Sequence, residues 1–384
     1  MSRFSFLMLF SVAAVACKGV TPPSSPPPPT NQPPIAVVGG PYNSTSGVIN
    51  VDGSQSSDPD GNPITFRWNF GDGASGDSVR MSHTYATSGT FTVSLIVSDS
   101  KGAKDTASTS AAIVVEQTFV LAGAGNIASG THIAEQTADL LDQIHADAVF
   151  TTGDNAFPDG SDSAYAHYYA NSWGRHLDKT HPVLGNHDYE DPNAKGSFDY
   201  FGTRLGATPG LGYYSYDVGT WHVIVLNDHG SDATFLDPAS AQGRWLANDL
   251  ATHTNKCVLA MWHVPLFHSS NTPGWTSNPQ HLQVYQTLYA AGVDVVLNGQ
   301  QHNYERFAPM NPSGDLDPNG IREFNVGTGG ESVDDFTVAI HPNSEVHAAV
   351  FGVLKLTLGT NSYTWEFVPV AGSTFSDAGT GSCH

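Results

Sequence analysis

The stretch Ala148-Val149-Phe150-Thr151-Thr152-Gly153-Asp154-Asn155 decides the fold of the larger part of this chain. A continuous apolar run of this length reads as a strand buried on both faces, and here it stops at a glycine followed by polar side chains. The same pattern recurs along the chain. Phe119 to Ala122 runs into Ala124-Gly125-Asn126, and Pro182-Val183-Leu184 leads to Gly185-Asn186-His187-Asp188. Cys257 to Trp262 ends in His263, and Val293 to Leu297 leads to Gly299-Gln300-Gln301-His302. Trp221 to Leu226 is a further run of the same kind. Helical faces lie between these runs: Ile133, Thr137, Leu140, Leu141 and Ile144 before the second, Trp245, Leu246 and Leu250 before Cys257, and Leu282, Tyr285, Leu288 and Tyr289 before Val293. Strand-helix alternation predicts an α/β sheet covered by helices over residues 117–384. Ligands of open α/β sheets bind beyond the carboxyl ends of the strands. Asp, Asn and His side chains at five strand ends are therefore expected at one edge, a mixed N/O set that suits zinc, manganese or iron.

The chain before this region has a different grain. Residues 35–116 carry short alternating runs, Ile64-Thr65-Phe66-Arg67-Trp68-Asn69-Phe70 up to Gly71-Asp72-Gly73, and Thr90-Phe91-Thr92-Val93-Ser94-Leu95-Ile96-Val97. Strands at this spacing, with no helical segment between them, predict an antiparallel β-sandwich of Ig-like size. Asp52, Asp58, Asp60 and Asp72 are read as turn residues, with calcium binding as the alternative. Residues 18–34 are rich in Pro, Ser, Thr and Asn and predict an extended, polyproline-like spacer.

Residues 1–17 read as an export signal: Arg3, then an apolar run from Phe4 to Ala16 too short to span a bilayer. The run ends in Ala14-Val15-Ala16-Cys17, which is similar to a bacterial lipoprotein cleavage box. Lipid on Cys17 would anchor an exported chain to a membrane surface; an ordinary secretory signal is the other reading. If Cys17 carries lipid, Cys257 and Cys383 are left either to pair or to stay as buried thiols.

Composition narrows the function classes. Lys+Arg 15 against Asp+Glu 36 gives a formal net charge of -21, which repels phosphate backbones and argues against a nucleic-acid surface. Charged residues are only 13% of the chain, about half the usual share. No Gly-x-Ser-x-Gly elbow or Walker-type loop occurs, so serine hydrolase and P-loop chemistry lack support.

The words Trp68-Asn69-Phe70-Gly71-Asp72-Gly73 and His83-Thr84-Tyr85 resemble those of PKD domains, which implies a spacer or adhesion module with surface or glycan contacts. The ordered series Gly153-Asp154, Gly185-Asn186-His187-Asp188, His263 and His302-Asn303-Tyr304-Glu305-Arg306 resembles the calcineurin-like metallophosphoesterases, and within them the bacterial relatives of purple acid phosphatases. The resemblance implies a four-layer αββα sandwich, two divalent or trivalent metal ions (Fe, Mn or Zn) and a small phosphorylated substrate. It implies that Asp154 bridges both metals, that Asn126 and His302 serve the first, and that Asn186, His263 and Gln300 serve the second. His187, oriented by Asp188, would stabilise the transition state or protonate the leaving group. From its own chemistry, Arg306 is read as a planar fork that could meet substrate phosphate, with a structural ion pair to Glu305 or another carboxylate as the competing reading.

The sequence also departs from that pattern. Asn126 stands where the family has aspartate, Gln300 where it has histidine, and Phe157 where the purple enzymes have tyrosine. Neutral amide oxygens replace better ligands, and no tyrosinate colour is expected. Two readings follow: a weakened but working phosphoesterase, or a non-catalytic relative that binds a ligand or partner at the cell surface. Thr328-Gly329-Gly330-Glu331 is read as a possible lining of the cleft mouth, and His268 and His281 as members of a covering loop from Pro265 to Pro279.

Overall fold

A computed structural model describes residues 29–229, 236–269, 279–337 and 339–384. The export signal, Cys17, the first part of the spacer and the middle of the covering loop lie outside the described residues. The chain divides into two units, Met1–Val115 and Glu116–His384.

The N-terminal unit holds strands β1 (Tyr42–Ser44), β2 (Val48–Asp52), β3 (Ile64–Asn69), β4 (Ser75–Gly76), β5 (Arg80–Thr84), β6 (Gly89–Asp99) and β7 (Lys104–Ile113). They form a sheet ordered β1-β7-β6-β3-β4 and a ribbon β2-β5. Period-two alternation turns Trp68, Phe70, Val93, Leu95 and Val97 inward with Ile49, Val51 and Tyr85, the sandwich core. Trp68 and Tyr85 enter it with their polar ends satisfied. The Trp68 indole N–H donates to the Ser78 carbonyl at 3.0 Å, and the Tyr85 hydroxyl donates to the Phe70 carbonyl at 2.9 Å.

The predicted αββα sandwich is observed in the C-terminal unit. One sheet contains β8 (Phe119–Ala124), β9 (Ala148–Thr151), β10 (Thr180–His181), β18 (Gly352–Leu358), β19 (Ser362–Pro369) and β20 (Asp377–Ser382), ordered β10-β9-β8-β18-β19-β20. The other contains β11 (Tyr214–Val218), β12 (Trp221–Val225), β13 (Cys257–Met261), β14 (Val295–Asn298), β15 (Tyr304–Phe307), β16 (Arg322–Val326) and β17 (Ser344–Ala348), ordered β11-β12-β13-β14-β16-β15-β17. Parallel pairing holds at β8–β9 and through β12-β13-β14-β16, where the apolar runs lie. The rest is antiparallel apart from β9–β10.

Between the sheets lies the main core, including Leu121, Phe150, Trp221, Leu259, Leu297, Phe324, Leu356 and Trp365. Helix α1 (Ile133–Ile144) packs on β8 and β18, and the short α2 (Asp162–Ala164) and α3 (Lys195–Phe201) follow it in the chain, whereas α4 (Ala241–Thr252) and α5 (Pro279–Ala290) contribute Leu246, Val284, Tyr285 and Leu288 to a second core on the outer face of the other sheet. A disulfide between Cys257, on β13, and Cys383, just past β20, ties the two sheets together with Cα atoms 5.3 Å apart. Closing a segment of 126 residues is worth about 5 kcal/mol by chain entropy.

One strand differs from expectation. Pairing at β10 ends at His181, before Pro182-Val183-Leu184, because Pro182 has no N–H to give to β9.

Candidate metal centre

The two sheets meet at the carboxyl ends of their parallel strands. Gly125 N–H donates to the Val326 carbonyl at 2.7 Å, and His263 Nδ1 bonds the Thr152 carbonyl at 2.6 Å. Beyond β8, β9 and β14 the backbone turns at Asn126 (φ 55°), Asp154 (φ 55°) and Gln300 (φ 56°). The left-handed region is open to Asn and Asp and uncommon for Gln, and such residues cost about 1–3 kcal/mol each unless their surroundings hold them. Glycine clears the space around them. A Cβ on Gly153 would lie 2.3 Å from His263 Nδ1, and one on Gly185 would lie 2.3 Å from Asp154 Oδ1.

The centre is built on Asp154, which is fully buried. Its Oδ1 accepts the His187 N–H at 2.8 Å. Its Oδ2 lies 3.3 Å from His263 Nε2 but makes no well-formed hydrogen bond. The same His263 nitrogen lies 3.2 Å from Asn186 Oδ1. Because Nδ1 is committed to Thr152, Nε2 is the nitrogen aimed into the site. Burial pushes the Asp154 carboxyl up, but His263 and His187 outweigh it and hold the group below the usual carboxylate range. Burial pushes His263 down, and the Asp154 and Asp228 carboxylates reverse this and raise it to about 9. The point between Asp154 and His263 therefore demands positive charge, from a proton or from a metal ion.

The donor set fits a metal ion. Asn126 Oδ1, Asp154 Oδ2 and Gln300 Oε1 are buried oxygens without a hydrogen-bond donor, a costly condition that bound cations relieve. His302 stands nearby, its ring 6.1 Å from that of Phe157, which in turn is 4.4 Å from His187. His302 Nδ1 faces Ser332 Oγ at 2.6 Å and Glu331 Oε2 at 3.1 Å, which leaves Nε2 as the nitrogen that could hold a metal ion. The bond to His302 is the main cause that holds the Glu331 carboxyl below its ordinary range. Glu331 thus fixes the His302 ring, a sharper role than lining the cleft mouth.

Two expected roles are corrected. Asp188 does not orient the His187 ring, whose Nδ1 bonds the Pro158 carbonyl at 2.6 Å. Instead Asp188 is a buried anchor that accepts from Tyr165 Oη, Asn155 Nδ2 and Gly185 N–H, each at 2.9 Å, and so holds the loop that carries Asn186. Burial first, and then the Asp154 charge, raise its carboxyl above the usual range. Arg306 does not face the site. It is clamped by Asp377 at 2.7 and 3.0 Å and by Glu345, with its guanidinium 4.8 Å over the Trp365 ring. Its neighbour Glu305 accepts from Ser269 rather than from Arg306.

Residues 127–304 match the family model described as calcineurin-like phosphoesterase. The C-terminal unit is a metallophosphoesterase domain. Residues 31–115 match the PKD domain model. Purple acid phosphatase 18 of Arabidopsis thaliana is 30% identical over 189 residues, 44% of this chain and 42% of its own length. Purple acid phosphatase 21 of the same plant is 30% identical over 250 residues, covering 58% and 54%. The chain spans about half the length of the curated relatives it matches. The structure of purple acid phosphatase PPD1 from yellow lupin (Lupinus luteus) seeds superposes with a TM-score of 0.53 at 15% identity, over 92% of this chain and 74% of that one, a likeness of fold.

The metallophosphoesterase domain also brings Asp228 and His229 to this edge, which the sequence reading passed over. Asp228 accepts the His263 and Val264 N–H groups at 3.3 and 2.8 Å and pairs with His229 and His281 at 3.0 and 3.3 Å. Burial would raise its carboxyl, yet the two imidazoles hold it well below the usual range. The His229 ring lies 5.6 Å from that of His263. The signal was present: Asn227-Asp228-His229 follows the apolar run of β12 as Asp154 follows that of β9.

Proposed function

We propose that this chain hydrolyses small phosphate esters with a pair of divalent or trivalent ions of the Fe, Mn or Zn class. The observation that carries this reading is the buried Asp154 Oδ2, which lacks a donor of good geometry and shares its neighbourhood with His263 Nε2 and Asn186 Oδ1. Asn186, His263 and Gln300 would hold one ion, Asn126 and His302 the other, with Asp154 between them. When bound, such ions supply Lewis acidity to the phosphoryl oxygens and to an attacking water.

The chain's own groups do the rest. His187 gives its Nδ1 proton to the Pro158 carbonyl, so its Nε2 is the atom that holds or delivers a proton at the leaving oxygen. Its backbone N–H on Asp154 keeps it in register with the bridging carboxylate. Phe157 packs against the same imidazole and shields that side from water. Asn126 and Gln300 keep oxygens at the right strand ends but contribute no charge and no imidazole, so affinity for the ions is expected to be weak.

The test is turnover of aryl phosphate monoesters and diesters with manganese or zinc added, for the wild type and for Asn126→Asp combined with Gln300→His. Metal-dependent turnover by the wild type is expected. An inert wild type beside an active double variant would favour the binding-protein reading that the neutral amides suggest. Inertness of both would overturn the site assignment.

We further propose that the chain is exported and held at a bacterial membrane surface by lipid on Cys17. Among the described residues no helix is long and apolar enough to cross a membrane. Cys17→Ser is expected to move the chain from the membrane to the soluble fraction; an unchanged distribution would contradict the anchor.

A further inference from the structure

We propose that His229 is a further ligand of the ion placed at Asn186 and His263, and that it supplies the imidazole which Gln300 withholds. The proposal rests on the phosphoesterase reading of the strand-edge centre. Strand register brings His229 within reach. Val225 on β12 pairs with Met261 on β13, and Met261 pairs in turn with Leu297 on β14. Two residues further on, the three strand ends reach Asn227, His263 and Gly299. His263 is therefore flanked by Gly299-Gln300 on one side and by Asn227-Asp228-His229 on the other. An imidazole missing from the first flank can be replaced from the second.

Ring geometry carries the argument further. The His229 and His263 ring centroids are 5.6 Å apart, with planes at 62°. Two imidazoles bound to one ion through nitrogens at about 2.1 Å have ring centres about 5–6 Å apart. Rings inclined in this way can each direct one in-plane lone pair at a shared point. The His229 ring also lies 6.3 Å from that of Tyr189, whose N–H donates to the Asn186 carbonyl at 3.1 Å. His229 is thus next to both segments that carry the other ligands of this ion.

The nitrogens are disposed for the task. His229 Nδ1 faces Asp228 Oδ1 at 3.0 Å, and its Nε2 has no hydrogen-bond partner among the described residues. On His263, Nδ1 is held by Thr152, and the neighbours of Nε2 are Asn186 Oδ1 at 3.2 Å and Asp154 Oδ2 at 3.3 Å. Ligand atoms around one tetrahedral zinc ion stand about 3.3 Å apart. The buried Asp228 also accepts the Val264 N–H at 2.8 Å. One carboxylate therefore fixes the His229 ring and the backbone beside His263, and a carboxylate is a usual outer partner of a metal-bound imidazole. Asp154 Oδ2, Asn186 Oδ1 and the two Nε2 atoms make a set of two oxygens and two nitrogens, which suits zinc or iron. His229 binds as the neutral imidazole, so a proton on its Nε2 passes to solvent as the ion enters.

The experiment dialyses the full chain against zinc alone and measures zinc per chain by elemental analysis over a range of free zinc. It compares the wild type with His263→Ala, His229→Ala, Gln300→His and His229→Ala/Gln300→His. One of two zinc sites is expected to be at least ~10-fold weaker in His229→Ala, with the other unchanged. His229→Gln, which keeps bulk beside Asp228, should show the same loss, and matched circular dichroism checks the fold. In the Gln300→His background the loss should shrink to less than about 3-fold, because an imidazole again stands on the other flank. An equal loss in both backgrounds would make the role of His229 structural and overturn the assignment. Unchanged zinc binding beside a raised KM for an aryl phosphate would make it a substrate contact, with the same consequence. Equal zinc binding with and without His229, while His263→Ala loses an ion, would overturn this assignment and leave the centre standing. A wild type that binds no zinc would overturn both.

Discussion

The two units use the same residue types in opposite ways. In the N-terminal unit, Asp52 accepts the Ser54 N–H at 2.9 Å, Asp58 accepts those of Asp60 and Asn62, and Asp72 accepts that of Ala74. These oxygens close turns. In the C-terminal unit, Asn126, Asp154 and Gln300 adopt left-handed backbone and bury oxygens that find no donor. A polar residue after a strand is thus not a site by type alone. What marks a site is strain and unmet hydrogen-bonding capacity, spent together at one place.

The contrast can be broken most forcefully at Asp154. Asp154→Ala is expected to reduce turnover of an aryl phosphate to background and metal affinity by at least ~100-fold, whereas Asp72→Ala should leave both untouched. Activity that survived Asp154→Ala would erase the distinction. The next effect is at the proton donor. His187→Asn should lower kcat by about 10²–10⁴-fold at unchanged metal content, since the ring is not counted among the ligands.

Arg306 sharpens the comparison in the other direction, because it is a charged motif residue with every partner in place. Arg306→Met should destabilise the chain by about 3–5 kcal/mol in denaturant titration, as Asp377 loses its counter-charge, while KM of the folded fraction stays the same. A selective rise in KM would restore it to the substrate. Asn126→Asp and Gln300→His, made singly, should each tighten metal binding by about 10-fold, read as the metal concentration giving half-maximal turnover.

The smallest effect belongs to a turn. Hydrogen bonds from Ser54 first, and the Arg80 pair behind them, lower the Asp52 carboxyl from 3.8 to about 2. Since the folded value is depressed, its contribution is fully present above pH 3.8 and is lost as pH falls through about 2. The stability difference between wild type and Asp52→Asn should shrink over that window.

Much of this was legible in the sequence because buried parallel strands are continuous apolar runs, and their ends carry the residues proposed as ligands. β8, β9, β12, β13 and β14 were visible in that way. β15 was not, since Glu305 and Arg306 interrupt Tyr304 and Phe307, and all four are buried. Its partners lie far along the chain, Asp377 for Arg306 and Ser269 for Glu305, and no local pattern reveals them. β18 and β19 alternate Leu354, Leu356 and Leu358 with polar residues, and Tyr363, Trp365 and Phe367 likewise, a half-buried antiparallel signature. The motif reading singled out His187 but missed what orients its ring, because the Pro158 carbonyl that holds it lies on a different loop.

The most direct measurement is anomalous diffraction from crystals of the full chain soaked in manganese. The account predicts two peaks, one among Asp154, Asn186, His263 and Gln300, the other among Asn126, Asp154 and His302. A soaked crystal with no anomalous density at Asp154 would contradict it.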